Sequence, residues 1–472
     1  MSTLSLPAQI PSQALPIAKK RAGKLTLWPL VAATFFMVSG GTYGTEAIIS
    51  GAGYGRGILV LLFLPVLWCL PTAFMIGELS SALPHEGGYY AWVRRGLGNF
   101  WGFQEAWLSL AASIFDMAIY PTLFVFYLKQ MSPWFGEGNH GILAGLFVVV
   151  ACAALNLAGI RVVGITSLWL FFLLSLPFGL IVVLTPVKLG AFGGEVHAAS
   201  AGAGVGLLGA ILVAMWNYMG WDNASTIAQE VERPQRTYPK AMIAAVILVS
   251  ITYVLPFVAV YFTGMPASAF AEDGSWAAIA GQLGGKVMGF EWLRFAVTIG
   301  GMMSAFGMFN ALVMSYSRLP LAMARDGMLP KAFGKVTGKN GTPWVAVVVL
   351  ASCWALCLGL GFKRLVTLDI MLYGASLMLE FVTLVVLRVR EPKLKREFRV
   401  PGGLAGAVTC GVFPLGLLLL SLVESDRETI LGMNGLLFGM IIVVAGFAMY
   451  YATRKIQERF ASEAAPQGAA AD

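Results

Sequence analysis

The chain has 472 residues, of which 58% are hydrophobic and 12% are charged, about half the charged fraction of an ordinary soluble domain. Its net charge is +8 and its mean hydropathy is +0.77. Apolar stretches of about 20 residues, each long enough to cross a bilayer, recur from end to end. This composition excludes the soluble protein classes and predicts a multi-pass protein embedded in a lipid bilayer.

Hydropathy predicts an all-α membrane protein of about 12 transmembrane helices. We place the spans at 27–55, 57–83, 99–129, 141–160, 164–186, 206–230, 239–264, 288–318, 343–361, 365–387, 405–423 and 430–452. They form one transmembrane domain over 25–456, between tails at 1–24 and 457–472 that we predict to be disordered and cytoplasmic. The first tail shows no signal-peptide cleavage site.

Basic residues are distributed unevenly between the two sides of the predicted membrane. With the N-terminus in the cytoplasm, 24 of the 32 Lys and Arg residues fall in cytoplasmic segments. This bias predicts cytoplasmic termini and a location in the plasma membrane or a bacterial inner membrane. The positive charge is scattered over short loops, so we do not expect nucleic acid as a partner.

Two of the predicted spans are interrupted by polar and glycine-rich residues. The first interruption covers Ser39–Glu46 and the second covers Trp216–Asn223. A helix that crosses lipid satisfies its own backbone, so an interruption is tolerated only where it is buried in protein or lines a wet cavity. Two broken spans at corresponding places in two halves are typical of a secondary transporter, with the substrate between them.

The two halves of the chain can be laid out alike. Spans one to five, about 27–186, and spans six to ten, about 206–387, each contain one broken helix followed by four continuous ones. An odd number of spans places the two units in opposite orientations, which predicts a five-plus-five inverted repeat. The extra spans, about 405–452, could form a lipid-facing or dimer surface.

Cysteine and histidine offer no catalytic or metal-binding pattern. All five Cys lie in apolar spans, and all three His lie in loops. Free Cys in such a setting packs as a small hydrophobe, and two thiols without His make a poor metal site. We therefore predict no enzymatic activity, no metal and no cofactor.

Two pairs of motifs stand out: Gly77–Leu79 with Pro84–Tyr89 after the second span, and Ala324–Pro330 with Gly341–Pro343 after the eighth. They resemble the amino acid–polyamine–organocation transporter family, and the resemblance covers nearly the whole chain through span ten. Further stretches resemble its polyamine-uptake branch, which is close to the L-type amino acid exchangers. These stretches are Gly40–Glu46, Trp101–Gln104 onward to Asp116 and Tyr120–Pro121, and Trp221–Asp222 with Glu230–Pro234.

The resemblance implies a leucine-transporter-type fold and import of an amine-bearing solute. In amino-acid carriers of this fold, the unwound half-helices hold the substrate carboxylate with free N–H groups and their positive dipole ends. Candidate substrate contacts in the two breaks are therefore Gly40, Gly41, Thr42, Tyr43, Gly44, Trp216, Asn217, Trp221 and Asp222.

Glu46 lies just after the first break, in the opening turn of the second half-helix. It could occupy the positive helix end and present its other oxygen to a substrate ammonium. A site that carries its own carboxylate favours a cargo that lacks one, which argues for a polyamine over an amino acid. The alternative is that Glu46 only caps the half-helix.

The third span carries a polar stripe of Glu105, Ser109, Asp116 and Tyr120, which share about 60° of a helical face. Acids inside a membrane face a cavity or a partner, so this stripe should face the bundle interior. Asp116 is the second candidate ammonium ligand. Glu105 could equally pair with a loop Arg.

Aromatic side chains lie around both breaks, namely Tyr43, Trp216, Tyr218 and Trp221. Their faces suit the ammonium groups and the methylene chain of a polyamine, although aromatics in membrane helices more often pack or mark the interface. Asp222 is either a third cation ligand or the N-cap of the second half of span six.

Two further acids look structural. Glu78 is expected to anchor loop packing, and Asp369 is expected to compensate charge at the start of span ten, just after two basic residues. Asp369 nevertheless shares a helical stripe with Tyr373, Ser376 and Glu380, so Tyr373 could reach the cavity.

We therefore predict a secondary transporter that imports polyamines of the putrescine or spermidine type by alternating access. Burial disfavours a charged carboxylate, so Glu46 or Asp116 could carry a coupling proton. Some members of the family use a Lys in span five for this role, and residues 164–186 contain none. The alternative is an amino acid permease or exchanger of the same fold, for cationic or neutral amino acids.

Overall fold

The computed structural model of the protein describes residues 24–85, 87–192, 206–271, 275–286, 291–338, 341–359, 362–425, 429–430 and 432–464. Helices account for most of these residues. Residues 1–23 of the first predicted tail and residues 465–472 of the second lie outside this part of the chain.

The described residues of the first half form seven α-helices: α1 (Leu27–Val38), α2 (Glu46–Leu64), α3 (Leu70–Ala82), α4 (Gly88–Leu97), α5 (Asn99–Met131), α6 (His140–Ala158) and α7 (Ile160–Phe192). The second half contains α8 (Gly206–Asn217), α9 (Pro234–Tyr261), α10 (Ser275–Gly284), α11 (Trp292–Arg325), α12 (Trp344–Leu356), α13 (Phe362–Arg390), α14 (Gly403–Ser425) and α15 (Gly435–Ala464). A π-helical turn at Pro65–Cys69 joins α2 to α3, and a long 3₁₀ segment, Trp221–Glu230, follows α8. Single 3₁₀ turns lie at Pro133–Gly136, Ala267–Phe270 and Lys331–Gly334, and Thr429–Ile430 pairs with Met433–Asn434 in a two-residue β-hairpin.

Eight helical stretches in the described ranges are long and apolar enough to cross a membrane. Three shorter apolar helical stretches accompany them, namely Leu27–Val38, Trp169–Thr185 within α7, and Trp344–Leu356. This architecture confirms an all-α, multi-pass membrane protein. Helix length and hydropathy identify fewer complete spans in the described residues than the twelve predicted, in part because α1 ends at the first interruption.

Several boundaries differ from those predicted. The first two spans, separated at residue 56 in the prediction, meet at Gly53, whose φ of 75° and ψ of 168° turn the chain sharply inside α2. The short helices α4 and α10 were not predicted, since each is too short to cross a bilayer. The last helix, α15, continues to Ala464, into the segment predicted as a tail from 457.

The long helix α5 lies inside the bundle, because it packs extensively against both α11 and α13. Its polar stripe is buried in this interior, as predicted, while the broad apolar faces of α14 and α15 remain exposed. Polar residues therefore line the middle of the bundle and apolar residues cover its outside, as a lipid environment requires.

One end of the bundle carries a network of ion pairs, and we call it the basic end. Its basic members are Arg94, Arg95, Arg388 and Arg396. At its centre Glu78, which is 0% exposed, accepts from Arg388 Nε at 2.9 Å and from the Val400 N–H at 2.7 Å. Arg396 Nε lies 3.1 Å from the same carboxylate. Glu78 thus ties α3 to α13 and to the loop before α14, in the anchoring role expected for it.

We expect Glu78→Gln to destabilise the protein by about 3–5 kcal/mol, because two largely buried guanidinium groups lose their counter-charge. The apparent melting temperature of the detergent-solubilised protein should fall clearly. The matched control is Glu391→Gln, since Glu391 and Arg95 form a pair at 2.9 Å that is 28% and 53% exposed. That substitution should cost about 0–1 kcal/mol. Equal decreases in melting temperature in the two variants would contradict the anchoring role of Glu78.

Candidate functional site

The first interruption lies between α1 and α2, where residues 39–45 leave the helix. Its carbonyl groups find donors on other helices. The Gly40 oxygen accepts from the Ser304 hydroxyl, and the Thr42 oxygen accepts from the Trp276 indole at 3.1 Å. These bonds supply the backbone partners that a broken helix needs where water is absent.

The second interruption lies between α8 and the long 3₁₀ segment. The Asn217 carbonyl accepts from the Tyr253 hydroxyl at 2.7 Å. The Tyr218 carbonyl accepts from two indoles, those of Trp68 at 3.0 Å and Trp221 at 2.8 Å. Both interruptions therefore lie at the positions that the sequence predicted, and both are buried in protein.

The two interruptions touch each other. Asn217 Nδ2 donates to the Gly44 carbonyl at 3.3 Å. Gly220 has a φ of 86°, and a Cβ at this position would lie 2.4 Å from the Met37 carbonyl oxygen. Only glycine fits there, because the backbone is left-handed and a neighbouring carbonyl approaches closely.

A narrow cavity of about 10 Å³, close to the space that one water molecule needs, lies beside this contact. Its wall combines two carboxylates, four aromatic side chains, two residues of α1 and two residues that follow α8. The lining residues are Asp116, Asp369, Tyr120, Trp216, Tyr316, Tyr373, Met37, Val38, Met219 and Gly220. None of these lining residues is basic, so the cavity is acidic and aromatic.

Asp116 of α5 is 6% exposed and accepts from three side chains. Tyr120 donates to Oδ1 at 2.7 Å, and the Trp216 indole donates to the same oxygen at 3.4 Å. Tyr316 donates to Oδ2 at 3.5 Å. These donors replace part of the water that a carboxylate loses on burial, and they hold Asp116 at the cavity wall.

Asp369 of α13 supplies the second carboxylate of the cavity, and this differs from its predicted role. It lies seven residues after Phe362, at which α13 begins, whereas helix-end charge effects fall off within the first turn. It is 2% exposed and lies within electrostatic range of Asp116 and Asp222. The stripe that Asp369 shares with Tyr373 was the sequence signal of this position. No sequence signal marked Tyr316 as a cavity residue, because a tyrosine in an apolar helix is typical of packing.

Tyr373 connects the cavity to Asp222. Its hydroxyl donates to Asp222 Oδ1 and accepts from the Gly220 N–H at 3.1 Å. The prediction that Tyr373 could reach the cavity agrees with this placement. Asp222 lies behind Tyr373, in the first turn of the long 3₁₀ segment, and does not line the cavity itself.

Glu46 lies apart from this cavity. Its Oε1 accepts from the Tyr127 hydroxyl at 2.8 Å, and the rings of Tyr43 and Tyr127 meet edge to face at 5.2 Å. Tyr127 is about three turns along α5 from Asp116, roughly 16 Å at 1.5 Å per residue. Glu46 is thus held about three turns along α5 from Asp116, and it does not line the cavity.

The remaining predicted residues support the interruptions. The Gly41 N–H donates to Ser39 Oγ at 3.1 Å, the Thr42 hydroxyl donates to the Thr252 carbonyl at 2.9 Å, and the Tyr43 hydroxyl donates to the Val297 carbonyl at 3.0 Å. Trp221 is fully buried and lies outside the cavity, with its indole turned to Tyr218. Trp216 is the indole that faces the cavity.

The acids do not form a preformed metal site. Within the ranges that the structure describes, no three His, Cys, Asp or Glu side chains are grouped closely enough to hold a metal ion. The chemistry available at the cavity is instead that of carboxylates and aromatic faces, which suits an organic cation.

Known proteins resemble this sequence over most of its length. Residues 31–447 match the family model described as amino acid permease. The chain belongs to the amino acid permease family. This confirms the resemblance to the amino acid–polyamine–organocation transporters and makes the permease a transporter rather than an enzyme.

Several relatives of the permease are polyamine transporters by name. It is 34% identical to polyamine transporter RMV1 of Arabidopsis thaliana over 399 residues, which cover 84% of this chain and 79% of RMV1. It is also 34% identical to polyamine transporter PUT1 of rice over 429 residues, covering 89% and 78% of the two chains. An uncharacterized transporter of Mycobacterium tuberculosis is 30% identical over 317 residues, covering 66% and 68%.

Proposed function

We propose that this permease imports polyamines of the putrescine or spermidine class across the cell membrane by proton-coupled alternating access. The observation that carries the proposal is the buried cavity, whose lining contains Asp116, Asp369 and four aromatic rings but no basic residue. The names of the plant relatives support the same class of cargo.

The cavity walls suit the two parts of a polyamine. An ammonium group left unpaired in the membrane interior costs several kcal/mol, so each cationic group requires a carboxylate. Asp116 and Asp369 supply two. Trp216, Tyr120 and Tyr316 surround the space between them and offer apolar and cation–π contact to a methylene chain with charged ends. An α-carboxylate entering the same cavity would meet two acids and no basic lining residue.

Glu46 would serve this route as a separate site, since it lies outside the cavity lining and is held by Tyr127, about three turns along α5 from Asp116. We propose that cargo meets Glu46 first and then passes to the cavity. Trp216 lies between the two, since its ring packs toward Gly44 while its indole N–H reaches Asp116.

Alternating access would use the two interruptions as hinges. We propose that they belong to the first and sixth helices of a leucine-transporter-type five-plus-five inverted repeat, with both termini in the cytoplasm. The contact of Gly220 with Met37 and the bond from Asn217 to Gly44 support this, because they bring the breaks together beside the cavity.

Uptake of radiolabelled putrescine into proteoliposomes tests the proposal. We expect saturable uptake that an inward proton gradient stimulates and that excess leucine, lysine or arginine does not block. Asp116→Asn protein, inserted in equal amount, should transport at a small fraction of the wild-type rate. Entry of labelled amino acid without any putrescine uptake would overturn the proposal in favour of an amino acid permease and would leave Glu46 as a helix cap.

A further inference from the structure

A second pair of buried acids lies between the cavity and the basic end. Glu105 of α5 and Glu380 of α13 are both 0% exposed. Ser109 donates to Glu105 Oε1 at 2.9 Å, and this is the only hydrogen bond that either carboxylate accepts from the described residues. Glu105 Oε2 and both oxygens of Glu380 have no partner there. Glu105 does not form the pairing with a loop Arg that its sequence position allowed.

The surroundings of this pair are acidic as well. Glu105, Glu380 and Asp222 lie within electrostatic range of one another. The Tyr89 hydroxyl of α4 is buried, has no hydrogen bond of normal geometry to the described residues, and lies within electrostatic range of all three acids. The buried Thr383 hydroxyl, one turn after Glu380, also has no partner. Neither glutamate has an ion-pair partner within the described ranges.

Such an arrangement is stable only if its acids are neutral. A buried carboxylate without a counter-charge costs several kcal/mol, and a second carboxylate beside it adds repulsion. Asp116 differs, because three side-chain donors stabilise its carboxylate through hydrogen bonds. In the conformation of this structure, Glu105 and Glu380 are therefore expected to carry protons on carboxyl oxygens.

We infer that Glu105 and Glu380 form the proton site that couples transport to the proton gradient, in place of Glu46 and Asp116. The inference rests on the proposed function, because a coupling site matters only in a gradient-driven carrier. Tyr373 and Asp222 connect the pair to the cavity, since Tyr373 lines the cavity and donates to Asp222. Opening toward the basic end would admit water, and each carboxylic acid would then release its proton to that water and ionise.

The test compares Glu105→Gln, Glu380→Gln and the double variant with wild type in proteoliposomes. Two quantities are measured for each: putrescine exchange at equal pH on both sides, and the ratio of uptake with and without an inward proton gradient. We expect exchange to stay within about twofold of wild type, while the stimulation by the gradient falls to a ratio near one. The control Glu291→Gln removes an acid that pairs with Arg294 outside this cluster, and it should leave both quantities unchanged.

Retained gradient stimulation in the double variant would overturn the inference and leave the proposed function intact. Wild-type exchange without stimulation would also overturn it and would restrict the proposed function to uncoupled transport. Infrared spectroscopy of the purified protein provides a readout that does not depend on transport. It therefore also tests variants that fail to transport, and it applies even if the wild-type protein carries another cargo. The band of protonated carboxyl groups should weaken in each single variant and weaken further in the double variant. An unchanged band would overturn the inference.

Discussion

Asp369→Asn carriers should insert normally and lose about 100-fold or more in kcat/KM for putrescine. The substitution removes one of the two carboxylates that face the cavity and leaves one ammonium of the cargo without a counter-charge. Losing one partner of a buried charge pair costs about 2–5 kcal/mol, which corresponds to roughly 30-fold to several thousand-fold. Initial uptake rates, normalised to folded carrier in the proteoliposomes, measure the effect.

A purely structural Asp369 predicts a different outcome. If the residue only balanced charge near the start of α13, Asp369→Asn would lower the melting temperature and leave the rate per folded carrier unchanged. Tyr316→Phe provides a graded comparison, because it keeps the ring in the cavity wall and removes only the long bond to Asp116 Oδ2. We expect a several-fold loss from that variant, well below the loss from Asp369→Asn.

Gly220→Ala is expected to reduce transport by at least about tenfold. Its left-handed backbone costs about 1–2 kcal/mol for alanine. The new Cβ would also lie 2.4 Å from the Met37 carbonyl oxygen, so the two interruptions would have to move apart. Their separation would disturb the Gly220 N–H that donates to Tyr373 at the cavity wall. Uptake rates together with the melting temperature of the purified protein measure both consequences.

The matched control is Gly55→Ala. Gly55 lies on an exposed face of α2, and a Cβ there would meet no atom within 4 Å. Alanine favours the helix relative to glycine, so this variant should be neutral or slightly stabilising. Normal transport by Gly220→Ala would show that close contact between the two interruptions is dispensable for the cycle.

The features that follow from hydrophobic periodicity along a helix, and from polar residues inside apolar spans, could be predicted from the sequence. Long apolar runs located the helices, and polar residues inside two of them located both interruptions. The stripe at Asp116 and Tyr120 correctly indicated the face of α5 that lies inside the bundle. Each of these signals is local, because it depends on residues that share one helix.

The composition of the cavity was harder to predict, because it depends on which helices meet. Asp369 belongs to α13 and Asp116 to α5, and nothing in either helix alone places the two on one cavity. Nearby basic residues made Asp369 resemble a helix-end acid. Trp221 and Trp216 stand five residues apart at the same break, and only the packing around Tyr218 decides which indole faces the cavity.

The spacing of acids along α5 has an electrical consequence. Glu105, Asp116 and the Tyr127 that holds Glu46 follow one another at intervals of eleven residues, so together they extend over about 33 Å. That distance is close to the thickness of the hydrocarbon core. On the proposed route, a cation that travels past these positions crosses most of the membrane voltage inside the protein. Each charge gains about 2.3 kcal/mol per 100 mV, or about 4.6 kcal/mol for a dication. An inside-negative potential would then drive accumulation even at equal pH on both sides.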